Sequence, residues 1–244
     1  MYLCDFMFDF IPIWDEQKIQ EIMRINQLTR NEVSQIYYAE NLKQKHFAYR
    51  LQTRCITSMY SRLLGKYKNN KCTGVIIKGT ESSVNQDVIC VGNMMEAHVT
   101  FDLSIFENNI GKREKKMYFL EKLAEGIRKV AESENWDIRP FSNIEKQIIA
   151  FDYKNEWYWN KPVKSPNKQL SVQIFIDHDV DAVDIYAVFR DKHNGELYKR
   201  ILISENRPDE WAYQKYLCKL EWLSDDEVIL RGSMDDCGLR AKIV

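Results

Sequence analysis

The residues best suited by type and spacing to do chemistry are Asp177-His178-Asp179-Val180-Asp181. Three carboxylates at alternate positions around an imidazole offer oxygen and nitrogen donors to a divalent cation, the kind of set a metal-dependent hydrolase or nuclease uses. The calcium-loop template is not met. Its sixth position would be Ala182 where a glycine makes the turn, and its twelfth would be Val188 where a glutamate closes the site. Zinc needs about three protein ligands, and one histidine among scattered aspartates is a thin donor set. The run reads more simply as a solvated turn between two strands, where Asp tolerates the backbone angles.

The other chemical groups are isolated. His46, His98 and His193 have no nucleophile motif beside them, and neither GxSxG nor HExxH occurs. Gly92, Gly111 and Gly126 match no phosphate-binding loop. No cofactor is implied. Lys43, Lys45, Arg50, Arg54 and Arg62, interleaved with His46, Tyr49 and Tyr60, give the helix over 43–62 a nucleic-acid-facing character. The balance of charge favours an ordinary solvated helix face, because the whole chain carries a formal charge of −1.

The elements that position these groups follow from periodicity. Residues 2–13 read as a strand with Phe6, Phe8 and Phe10 on one face. Asp15 is a helix N-cap, and Thr29 with Glu32 forms a capping box. Helix is expected over about 16–64, with an apolar stripe of Phe47, Leu51, Cys55, Met59 and Leu63 and a stop at Gly65. Strands are expected at about 73–78, 87–91 and 96–106, a long helix over 113–134, and a strand over 147–153. Tyr153 to Trp159 concentrates aromatics that close a core edge or anchor an interface. Lys161-Pro162 to Asn167 is the best boundary. Beyond it, strands at 171–177, 182–190, 196–203, 216–222, 226–231 and 239–243 predict an antiparallel meander, with Asn194-Gly195 as a type I′ hairpin turn. The expected class is α+β: a helical N-terminal half with mixed strands over 1–160, and an antiparallel β region over 170–244 packed with helices on one face, as two regions or one continuous domain.

Composition bounds the rest. In 244 residues, 45% hydrophobic content with nine Gly and five Pro predicts a sizeable core and no long flexible linker. Residues 170–244 carry fifteen acids against ten bases, while residues 16–71 carry eleven bases against four acids. The six cysteines lack CxxC spacing and read as free thiols of a reducing compartment. The N-terminus, with Asp5 and Asp9 inside its apolar stretch, lacks the pattern of a signal peptide, and no run is long enough to span a bilayer. A cytoplasmic location is expected, with no membrane partner.

Two segments resemble the immunity proteins of bacterial contact-dependent inhibition and other polymorphic toxin systems. They are the amphipathic helix from Lys115 to Trp136-Asp137, set between strands, and the terminal meander from Lys219 to Arg231. The resemblance implies a cytoplasmic protein without catalytic residues, which binds one cognate toxin domain and blocks it. Many such toxins are nucleases with basic clefts, and a dense carboxylate surface complements a basic cleft. The expected contact set is then Asp177, Asp179, Asp181, Asp225, Asp226, Glu227, Asp235 and Asp236 as one acidic rim, with Trp211, Tyr213 and Trp222 as anchors inside it. The competing expectations are a metal-dependent hydrolase or nuclease built on Asp177, His178 and Asp179, and a nucleic-acid binder using the 43–62 helix.

Overall fold

A computed structural model describes residues 1–81, 88–233 and 238–243. The chain is α+β and divides into two compact units, Met1–Tyr153 and Lys154–Val244. The division falls ahead of the loop at 161–167, which lies inside the second unit.

The first unit runs β1 (Tyr2–Leu3), β2 (Asp5–Phe10), α1 (Glu16–Asn26), α2 (Arg30–Tyr37), α3 (Lys43–Leu64), β3 (Tyr67–Lys68), β4 (Gly74–Thr80), β5 (Ile89–Val91), β6 (Met94–Thr100), α4 (Ser104–Glu107), α5 (Lys112–Glu134) and α6 (Arg139–Ala150). Its main sheet has the order β2-β4-β6-β5, parallel except for β5. Parallel neighbours need a crossover, and α1 to α3 supply the one between β2 and β4. Phe6, Phe8 and Phe10 alternate inward and are buried. Burying each contributes about 1.5–3 kcal/mol. Val75, Ile77, Met95, Ala97 and Val99 extend the same buried set, and α3 packs on β2 while α5 packs on β4 and β6.

The caps form as read. Asp15 accepts from the Lys18 N–H at 3.1 Å, Thr29 and Glu32 make the reciprocal box, and Gly65 ends α3 at φ 61°. Between α2 and α3 the helix widens into one π turn over Tyr38–Leu42, where the Lys43 N–H reaches back to the Tyr38 carbonyl. The strand expected over 147–153 is instead the end of α6. Phe141, Ile144 and Ile148 repeat at helical spacing and are buried, so the apolar run was part of a 3.6 period. The strand expected over 96–106 stops at Thr100, because the Asp102 carboxylate accepts from the Ser104 N–H and starts the short helix α4.

The second unit runs β7 (Asn155–Tyr158), β8 (Val163–Lys164), β9 (Leu170–His178), β10 (Val183–Asp191), β11 (Leu197–Asn206), α7 (Glu210–Tyr213), β12 (Lys219–Trp222), β13 (Glu227–Arg231) and β14 (Gly238–Lys242). One antiparallel sheet has the order β11-β10-β9-β7, with β8 also paired to β9; a second has the order β12-β13-β14. Val172, Ile174, Ile176, Val183, Ile185, Ala187 and Phe189 of the first share one buried core with Leu220, Val228, Leu230 and Ala241 of the second. The β10–β11 connection is longer than a two-residue type I′ turn. Only Gly195 takes positive φ, at 74°, and the loop spans 192–196.

Candidate protein-docking surface

Strand alternation separates the residues that sequence had grouped. His178 is fully buried, facing the Tyr213 ring at 6.2 Å between centroids. Asp177 precedes it on the strand and therefore points to the opposite face. Asp179 leaves the strand: its N–H donates to the Ala182 carbonyl at 2.9 Å and its Oδ1 accepts from the Val180 N–H at 2.8 Å, which closes the β9–β10 turn. Asp181 is exposed at the tip. Asp177, His178 and Asp179 thus form no common ligand set, and among the described residues no group of three or more His, Cys, Asp or Glu is placed to hold a metal ion. The structure does not bring together the three side chains that the hydrolase expectation placed in one site.

Cross-strand register builds a feature that sequence reading missed. Asp177 lies directly opposite Glu156 on β7 and Asp184 on β10, and Asp184 lies opposite Glu205 on β11. Four carboxylates therefore stand in one transverse row across four neighbouring strands. Directly opposed like charges are destabilising in a sheet. Asp184 accepts a hydrogen bond from the Tyr186 hydroxyl at 2.9 Å, while its Oδ1 is buried without a hydrogen-bond partner. The turn carrying Asp179 and Asp181 lies beyond the end of β9, at the same end of the sheet as the row.

Trp211 rises at the same end of the sheet. Asn206, the last residue of β11, pairs with Val183 at the start of β10, and α7 follows at once. Asp209 is buried, pairs with Arg207 at 2.8 Å, and caps the helix by accepting from the Trp211 N–H at 3.0 Å. Tyr213 enters the core at 3% exposure, so α7 is pinned at both ends while Trp211 is 86% exposed. Of the three expected anchors, Trp211 alone is presented. Tyr213 is core, and Trp222 packs on the core with its indole N–H on the Val163 carbonyl at 3.0 Å.

The single rim expected from sequence does not form. Asp225 accepts from the backbone N–H of Asn167, in the turn before β9, at 2.8 Å. That turn is at the opposite end of β9 from Asp177, about 25 Å away along a nine-residue strand. Asp226 and Glu227 share this far end and meet the cations of β14: Lys242 at 3.8 Å from Asp226 and Arg240 at 3.4 Å from Glu227. The Ser224 hydroxyl, then Lys242, hold the Asp226 carboxyl below its ordinary range. Asp235 and Asp236 lie outside the described residues.

The basic helix of the first unit pairs part of its charge with carboxylates of its own unit. Lys45 pairs with Glu107, Arg50 with Asp9 at 3.9 Å, and Arg54 with Asp5 at 3.4 Å, while Tyr49 and Tyr60 are buried. His46 is buried among the Phe10, Tyr38 and Tyr49 rings, and burial pushes its imidazole below the ordinary value. His98 is buried and shifted down for the same reason, and His193 is exposed at a turn. An open groove between α5 and α6 holds the Arg128–Glu145 pair at 3.6 Å, with Met117 and Ile149 on its walls. Among the described residues no helix is long and apolar enough to cross a membrane. Comparison with family models, curated proteins and solved structures gave no match.

Proposed function

We propose that this protein is a non-enzymatic binding protein of the immunity type. It acts in the cytoplasm, where it seats the acid-bearing end of its second unit on a basic surface of one cognate toxin domain, such as the cleft of a nuclease. The observation that carries this reading is the row Glu156, Asp177, Asp184 and Glu205 at the same end of the sheet as the pinned, exposed Trp211. Four carboxylates in one row favour a cationic partner, since complementary potential raises the association rate and rejects neutral surfaces. A rigid, solvent-facing tryptophan supplies the large apolar area that dominates interface energies.

The test is binding of the purified product of the neighbouring upstream gene, with Glu156→Lys, Glu205→Lys and Trp211→Ala compared with the unaltered chain. Each variant should weaken binding, and the two reversals should also flatten its salt dependence. A triple reversal at Asp225, Asp226 and Glu227 is the internal control, because those residues sit at the far end beside their own cations. Unchanged affinity in the first three variants refutes the proposal.

A further inference from the structure

The outward face of the β11-β10-β9-β7 sheet changes sign along its strands. Next to the carboxylate row stands a row of Tyr158, Phe175, Tyr186 and Leu202. Beyond it come Gln173, Val188 and Arg200, and then Ser171 with Arg190 on one side and Lys164 on the other. The cations are held in place. The Arg200 guanidinium lies 3.7 Å from the Tyr186 ring centroid and 4.6 Å from that of Phe175. Arg190 donates to the Tyr158 hydroxyl at 3.0 Å and to the Gly195 carbonyl at 3.3 Å. Tyr158 and Leu202 are 42% and 49% exposed, so the strip between the two charged ends is open.

Asp184 and Arg190 are six residues apart on β10. At a rise of roughly 3.3 Å per residue they stand about 20 Å apart, more than twice the Debye length of roughly 8 Å in physiological salt. A partner lying on this face therefore meets a negative end and, at Arg190 and Lys164, a positive end, with between them an aromatic strip on which the Arg200 guanidinium rests.

We infer that the partner is a protein whose contact strip carries cations, then apolar side chains, then carboxylates, in that order, so that it docks in one orientation along the strands. This rests on the docking reading above and adds to it the order of charge. A uniformly basic partner would be repelled by the Lys164 and Arg190 end, and a partner of the opposite order would be repelled at both ends. The aromatic row gives the middle of the strip a surface to bury, while the charged ends set direction.

The sign of one substitution separates the possibilities. The probe is the same purified product of the neighbouring upstream gene, titrated at about 150 mM salt against the unaltered chain, Glu156→Lys and Lys164→Glu. Both altered residues are exposed, and matching urea midpoints would show that the fold is intact. The expected result is that each reversal raises Kd about tenfold, and that the double variant binds more weakly than either single one. If Glu156→Lys weakens binding while Lys164→Glu tightens it or leaves it unchanged, the partner is simply basic. The charge-order inference then fails, while the docking reading stands. If the probe does not bind, or Glu156→Lys has no effect, the docking reading fails and takes the inference with it.

Discussion

Asp184→Asn should make the protein more stable. Asp184 sits between Asp177 and Glu205, directly opposite both, so one substitution removes two like-charge pairs. Each opposed pair costs roughly 0.2–1 kcal/mol, which sets the expected gain at about 0.5–2 kcal/mol. The amide keeps an oxygen to accept the Tyr186 hydroxyl, now 2.9 Å from the carboxylate, and it relieves the buried Oδ1 of its charge. Glu156→Gln at the end of the row removes only the pair with Asp177 and should give about half as much. The assay is urea unfolding of the full chain followed by tryptophan fluorescence, because Trp157, Trp159, Trp211 and Trp222 all lie in the second unit. A higher midpoint at constant slope reports stability alone. The gain should shrink in about 0.5 M salt, where screening falls below the spacing of opposed side chains. Destabilisation by Asp184→Asn, or an unchanged midpoint at low salt, refutes the reasoning that the row is kept at the expense of the fold.

Trp211→Ala should leave the urea midpoint within about 0.5 kcal/mol of the unaltered protein, as for other exposed positions, whereas Tyr213→Ala should cost about 3–5 kcal/mol through the cavity it leaves. Equal effects at the two positions would show that α7 is not pinned as described. His46 is held below its ordinary pKa of 6.5 by burial, so the folded state binds its proton less readily than the unfolded state. Stability from this group is complete above pH 6.5 and falls as pH drops below that value. His46→Phe should flatten the decline in stability below pH 6.5, and an unchanged slope by urea titration would assign the decline elsewhere. Gly126→Ala places a Cβ 2.3 Å from the Ile77 Cδ1 of β4. It should cost about 1–3 kcal/mol, with partial recovery in the Ile77→Val background; full stability of the single variant would mean that α5 shifts freely on the sheet.

The features legible in sequence were those fixed by a few neighbouring residues. Asp15, the Thr29–Glu32 pair and Gly65 each satisfy or release backbone groups within one turn, so their effect can be read locally. The strands of the second unit announced themselves by alternation, from Val172, Ile174 and Ile176 inward. The end of α6 was misread because Ile148 and Ile149 look alike in a short window, and only Phe141 and Ile144 reveal the longer period. The acid-bearing end of the second unit was half legible. Asp177, Asp179, Asp181 and Trp211 were picked out by type, but Glu156, Asp184 and Glu205 join them through register between strands up to 49 positions apart in the chain. No local signal encodes that pairing. For the same reason the acids at 225–227 looked like part of one cluster, although the turn at Asn167 holds them at the other end.

The π turn at Tyr38–Leu42 has a consequence for evolution by insertion and deletion. Residues Val33 and Tyr37 before it are buried, as are His46, Tyr49, Thr53, Ile56 and Tyr60 after it. At about 100° per residue, an uninterrupted α-helix would aim the two buried sets roughly 160° apart. Absorbing one residue in the wider turn brings them to within about 60°. The turn therefore acts as a phase corrector, letting one rod serve two cores on the same side. Removing a single residue from 38–42 would wind the rod back into step with itself and out of step with the sheet. A one-residue insertion elsewhere in α3 would do comparable harm unless a second such turn arose with it.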